Sequence, residues 1–150
     1  MAAVHTFAYS PIPLPPTAAF PAGLTVHRPL VIAHLKVPNA AKSFSCVGLL
    51  DSGADWCVFP LSFAAPLGLD TLTMKMDMTG GVGSTANATY YDEIQIDIAL
   101  ANSAMLSYTT TAGFTAGLEA IGIGLLGQHG LFENFRVQFD HSAKPFYIEG

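Results

Sequence analysis

Apolar and polar residues alternate with a period of two over several short stretches, the mark of strands with one buried face. The clearest is Thr89–Leu100, where Ile94, Ile96 and Ile98 share one face and Gln95 and Asp97 the other. Pro29–Val37 (PLVIAHLKV) and Ser43–Leu50 (SFSCVGLL) are apolar runs that predict two further strands, and Trp56–Phe59 a third. Leu72–Thr79, Met105–Thr111, Ile121–Leu126, Phe135–Phe139 and Pro145–Glu149 complete the predicted set. Gln128–Asn134 reads as the one helix, and Ser62–Leu69 as a single helical turn limited by Pro66. Gly80, Gly81 and Gly83 interrupt the pattern between two strands, where a hairpin turn can use their freedom at positive φ. Many short strands predict an all-β, closed-barrel-like domain with one short C-terminal helix. Residues 1–24, with Pro11, Pro13, Pro15, Pro16 and Pro21, read instead as an extended proline-rich arm ahead of a domain at 25–150.

Composition narrows the choice. A chain of 150 residues, 51% hydrophobic and only 11% charged, suits one domain with one core. The formal net charge is −5, and the six Lys and Arg residues are scattered, so no basic stripe marks a nucleic-acid partner. No run of 18 apolar residues is free of Pro, Gly or charge, so no membrane span is expected. The first residues lack the basic region of a secretory signal, which makes the cytoplasm the expected compartment. Cys46 and Cys57 are too few for a disulfide framework and read as two buried free thiols. The five histidines have no ligand spacing, so neither a metal nor another cofactor is expected. Gly122-Ile-Gly-Leu-Leu-Gly127 matches a dinucleotide fingerprint in letters, but too little chain follows it to complete the βαβ unit.

The most informative segment is Leu49-Leu50-Asp51-Ser52-Gly53-Ala54-Asp55. An apolar strand delivers a carboxylate into a turn, and apolar residues resume at once with Trp56, Cys57, Val58 and Phe59. Asp, Ser and Gly are ordinary turn residues. Ordinary turns have polar flanks, however, whereas this one lies between two buried-looking strands. Ser52 can bond backbone groups and hold the turn, and Gly53 lets another chain approach closely.

Four patches in order resemble the retropepsin-like aspartic proteases, the retroviral proteases and their cellular relatives. They are Arg28-Pro29-Leu30-Val31; the Asp51 loop; Met78-Thr79-Gly80-Gly81-Val82-Gly83 with the strand at Tyr91–Ile98; and Gly124-Leu125-Leu126-Gly127. The resemblance implies a retropepsin-like, acid-protease fold and peptide-bond hydrolysis with no metal or organic cofactor. That chemistry takes two carboxylates sharing one proton, one activating a water and the other donating to the carbonyl oxygen. The chain holds a single Asp-Ser/Thr-Gly, so a homodimer with Asp51 from each copy at its axis is expected. The resemblance further implies that Ser52 braces the two loops across the dimer, and that Gly53, Ala54 and Asp55 contact substrate. Asp55 would pair with Arg28 of the other copy. Gly80, Gly81 and Val82 would form a flap over the peptide, and Leu125 would line an apolar subsite along with Leu30 and Val58. Phe146-Tyr147-Ile148 would contribute to the dimer interface. Gln128 stands where many relatives carry arginine. The alternative expectation is a non-catalytic peptide-binding or dimerisation module that retains this fold.

Overall fold

A computed structural model describes residues 1–81 and 85–150. Its strands are β1 (Val4–Ala8), β2 (Ser10–Leu14), β3 (Leu24–Arg28), β4 (Leu30–Lys36), β5 (Phe44–Leu50) and β6 (Cys57–Pro60). They continue with β7 (Lys75–Thr79), β8 (Asn87–Ala99), β9 (Met105–Thr115) and β10 (Gly124–Leu126). A single helical turn, α1 (Leu131–Asn134), precedes β11 (Arg136–Phe139) and β12 (Pro145–Glu149).

Strands pair in the order β4-β5-β10-β6-β9-β8, and β8 returns to pair with β4, closing a barrel. Closure leaves no free edge around the ring and so removes a route to aggregation. β8 makes it possible by its length. Its first half pairs with β7 (Lys75 opposite Tyr91), and its second half with β4 (Ala33 opposite Ile98). Ile94, Ile96 and Ile98 fill the interior with no exposed surface, as their alternation predicted. Each such side chain contributes roughly 1.5–3 kcal/mol on burial. Phe59 and Phe114, from the parallel pair β6 and β9, meet them there, also fully buried.

Several element boundaries shift from the sequence expectation for visible reasons. Leu72–Thr79 yields a strand only from Lys75, because Asp70 holds a turn by accepting the Leu72 amide at 2.9 Å. Ile121–Leu126 shortens to β10 because Ile121 and Gly122 donate to the Leu118 carbonyl, with Gly122 at a φ of 70°. Ser62–Leu69 becomes two 3-10 turns, Leu61–Phe63 and Ala65–Leu67, ended by Gly68 at a φ of 77°.

Residues 1–24, read from the sequence as an extended proline-rich arm, supply three paired strands or parts of them. β1 pairs with β12 at the far end of the chain, Phe7 opposite Phe146, and the two rings stack at 5.1 Å. Ala3 and Gly150 exchange backbone bonds at 3.1 and 3.0 Å. β12 therefore lies between β1 and β11, with Phe146 and Ile148 fully buried. β2 and β3 form a separate two-stranded hairpin.

Candidate active site

The site begins with an unusual strand insertion. β10 runs between β5 and β6, parallel to the first (Leu126 beside Leu50) and antiparallel to the second (Leu125 beside Val58). The β5–β6 connection, residues 51–56, must therefore pass over the end of β10. Small residues let the strands come this close. A Cβ on Gly124 would meet the Phe59 ring at 2.4 Å, and one on Gly48 would meet the Leu126 side chain at 3.0 Å.

Asp51 is the first residue past β5. Its amide donates to the Leu126 carbonyl at 3.1 Å, and its carbonyl accepts from Ala54 at 3.2 Å. Its Oδ1 accepts the Gly53 amide at 3.0 Å, so the carboxylate is aimed by its own turn. From the other side, Gln128 and His129 donate their amides to the Ala54 and Asp55 carbonyls, both at 2.8 Å. The predicted helix Gln128–Asn134 shrinks to α1 because Gly130, at a φ of 121°, breaks the helical run just before Leu131. Gly127 makes the approach possible: a Cβ there would stand 2.3 Å from the Trp56 carbonyl oxygen and 2.6 Å from that of Ala54. Gln128 adds a side-chain bond, Nε2 donating to the Ser52 carbonyl at 2.7 Å. A neutral amide thus ties this segment to the loop.

Next to the loop, the Trp56 ring packs on His129 at 4.5 Å and meets Tyr91 edge-on at 6.1 Å. His129 in turn contacts Glu133 at 2.7 Å. That hydrogen bond, followed by the one from the Gly130 amide, holds the exposed Glu133 carboxyl below its usual range.

A groove of about 530 Å³ opens over these residues. Asp51, Gly53, Ala54, Asp55 and Trp56 line it from the loop, Val58 and Leu125 from β6 and β10, and Thr79, Gly80 and Gly81 from the β7–β8 hairpin. The hairpin is pinned where Thr79 bonds the buried Thr89 through their hydroxyls. Asn87, Tyr91, Thr115, Gly117 and Leu118 complete the lining. Sequence reasoning did not name these last five or Thr79 as contact residues, although Thr79 and Tyr91 lie in the third resembling patch. The register Thr79 opposite Asn87 follows from the hairpin and was within reach. Thr115, Gly117 and Leu118 arrive through the parallel β6–β9 pairing, for which there is no local signal.

Of the other sequence-derived candidates, Ser52 is exposed and contributes its carbonyl to Gln128. Leu30 pairs with Leu49 and is not among the lining residues. Val82 lies outside the described residues. Arg28 sits at the end of β3, beside Pro29, whose carbonyl accepts the Leu50 amide at 3.0 Å. Among the described residues His129–Glu133 is the only ion pair, so Arg28 and Asp55 do not meet within one chain. Cys46 and Cys57 are both free thiols. Burial pushes the half-buried Cys46 up to about 12, and Cys57 is fully buried against Tyr108. No three His, Cys, Asp or Glu residues among those described cluster to hold a metal ion, and no helix among them is long and apolar enough to cross a membrane.

Comparison with solved structures decides what architecture this is. The crystal structure of a retropepsin-like aspartic protease from Rickettsia conorii matches over 99% of this chain and 95% of that one, with a TM-score of 0.53 and 16% identity. The fold is retropepsin-like. No family model matches the chain, and no curated protein does. In this retropepsin-like fold, the inserted β10 and the closing β8 put the Asp51 loop and the glycines of the β7–β8 hairpin onto one groove.

Proposed function

We propose that two copies of this chain form an aspartic endopeptidase in which Asp51 and its symmetry mate act on one peptide bond. The observation that carries this reading is the placement of Asp51. A carboxylate ends a core strand, is aimed by the Gly53 amide and lines a groove that also takes in Gly80 and Gly81. One chain contributes one such carboxylate, so a two-fold pair supplies the second.

In the proposed reaction the two carboxylates share one proton, because like charges about 3 Å apart do not both ionise; the aspartic proteases are the known case. The ionised one accepts a proton from water as the water oxygen bonds to the peptide carbonyl carbon. The protonated one gives its proton to the carbonyl oxygen. The tetrahedral gem-diol then breaks its C–N bond as the amine nitrogen takes the proton of one carboxyl and a gem-diol hydroxyl returns its proton to the other carboxylate, which leaves an acid, an amine and the dyad with its one shared proton. Loop backbone at Gly53, Ala54 and Asp55 would hold the substrate main chain. The β7–β8 hairpin would act as a flap and exclude water. Val58 and Leu125 favour apolar side chains beside the scissile bond. Asp55 of one copy would pair with Arg28 of the other, and Ser52 would brace the adjoining loops.

The test is turnover of unfolded protein between pH 3 and 7. Asp51→Asn should lower kcat/KM by about a thousandfold or more while the unfolding midpoint stays the same. A variant as active as the parent would refute the assignment. A parent that binds peptides without cutting them would point to the non-catalytic module.

A further inference from the structure

The family-like expectation puts the chain termini at the dimer interface, and the fold argues against that here. β12 is hydrogen-bonded on both sides, to β1 and to β11 of its own chain, and Phe146 and Ile148 have no exposed surface. A second copy could pair with β12 only by displacing β1 or β11. The β2–β3 hairpin offers a different surface. It belongs to neither of the larger sheets. A lone two-stranded hairpin is marginally stable in water unless something covers it. Its register places Ser10 with Arg28, Ile12 with Val26, and Leu14 with Leu24. Directly paired residues share a face, so Ile12, Val26, Leu14 and Leu24 form one apolar face with Arg28 at its base. None of these four belongs to the core or to the half-buried shell packed against it. Leu14 and Leu24 are 36% and 43% exposed, and Phe20 at the tip is 53% exposed.

The base of this hairpin adjoins the Asp51 loop, since the Pro29 carbonyl accepts the Leu50 amide. A body that brings a second Asp51 to the first must therefore pass close to the hairpin. Charge agrees with that occupant: Arg28 at the base and Asp55 on the loop each lack an ion-pair partner among the described residues of their own chain. Pro11 and Pro13 alternate with the apolar positions along β2. They remove its N–H donors at those positions, which discourages further strands from adding there.

We infer that a second copy of this chain docks on the Ile12–Leu14–Leu24–Val26 face of the β2–β3 hairpin, and that this hairpin, and not β12, clasps the dimer. The inference rests on the half-site reading above, because that reading requires the second copy.

Sedimentation over a concentration series, run on the full chain, tests it. The double variant Leu14→Asp/Leu24→Asp should raise the dimer dissociation constant roughly a hundredfold, about tenfold for each residue. Met105→Asp, at an exposed apolar position elsewhere on the barrel, should leave it unchanged. Leu24→Met serves as the conservative variant and should keep the dimer even if the double variant folds poorly. A near-UV circular dichroism spectrum like that of the parent shows that the barrel has formed. A parent that stays monomeric, or a folded double variant that dimerises as the parent does, overturns the inference. Asp51→Asn separates the two claims. Should that variant cleave normally while the hairpin variant is monomeric, the protease reading fails and the clasp stands. Should it be inactive while the folded hairpin variant remains dimeric and active, the clasp fails alone.

Discussion

The Asp51 loop and the β7–β8 hairpin face each other across the groove, and they are held in opposite ways. Backbone atoms of the loop are fastened by Leu126, Gln128 and His129, and the Ser52 carbonyl by a side chain as well. Among the described residues β7 is the last strand of its sheet and bonds only to β8, and Lys75, Met76, Asp77 and Met78 are all exposed. Glycine appears in both regions with different consequences. Gly127 permits a close approach that fixes the loop, whereas Gly80 and Gly81 leave backbone at the rim of the groove without side chains in the way. The half that aims a carboxylate is over-determined, and the half at the opposite rim has one strand partner, as the proposed flap role would require.

The sharpest way to break the contrast is at the cradle. Gly127→Ala should cost about 3 kcal/mol in urea unfolding, since the new methyl meets carbonyl oxygens that cannot swing aside. An unchanged midpoint would mean that the loop is not held as described. Hydrogen exchange compares the two regions directly. Amides of Met76 and Met78 should exchange at least about a hundredfold faster than those of Leu50 and Asp51, and equal protection would erase the distinction. Gln128→Ala should cost roughly 1 kcal/mol by removing the bond to the Ser52 carbonyl, with Gln128→Glu no better because a carboxylate cannot donate there. The smallest effect is in acid. Glu133 is more acidic folded than unfolded, so its contribution is present above its ordinary value of 4.5 and fades as pH falls through the lowered value. Glu133→Gln should therefore flatten the acid side of the stability profile slightly, and an identical slope would show that the His129 contact does not matter.

Much of this was legible in the sequence because it depends on local rules. Ile94, Ile96 and Ile98 reach the core through a period of two, and Pro145–Glu149 matches β12 residue for residue. Asp51 stood out because an acidic turn lay between apolar strands. What escaped was non-local. Val4–Ala8 is a strand only because Pro145–Glu149 lies beside it, and no pattern within the first residues announces that partner. Gln128 and His129 look helical in isolation, yet Gly130 at a φ of 121° cuts them off from α1. Thr115, Gly117 and Leu118 reach the groove through a parallel pairing that only the folded sheet reveals.

The insertion of β10 also imposes an order in time. Asp51 leaves the ribosome well before Leu126, Gly127 and Gln128, the residues that seat its loop. Until they emerge, β5 and β6 have no strand between them and the loop that carries the carboxylate lacks its outer backbone bonds. On the proposed reading, a nascent chain cannot cut until that late segment slides into place.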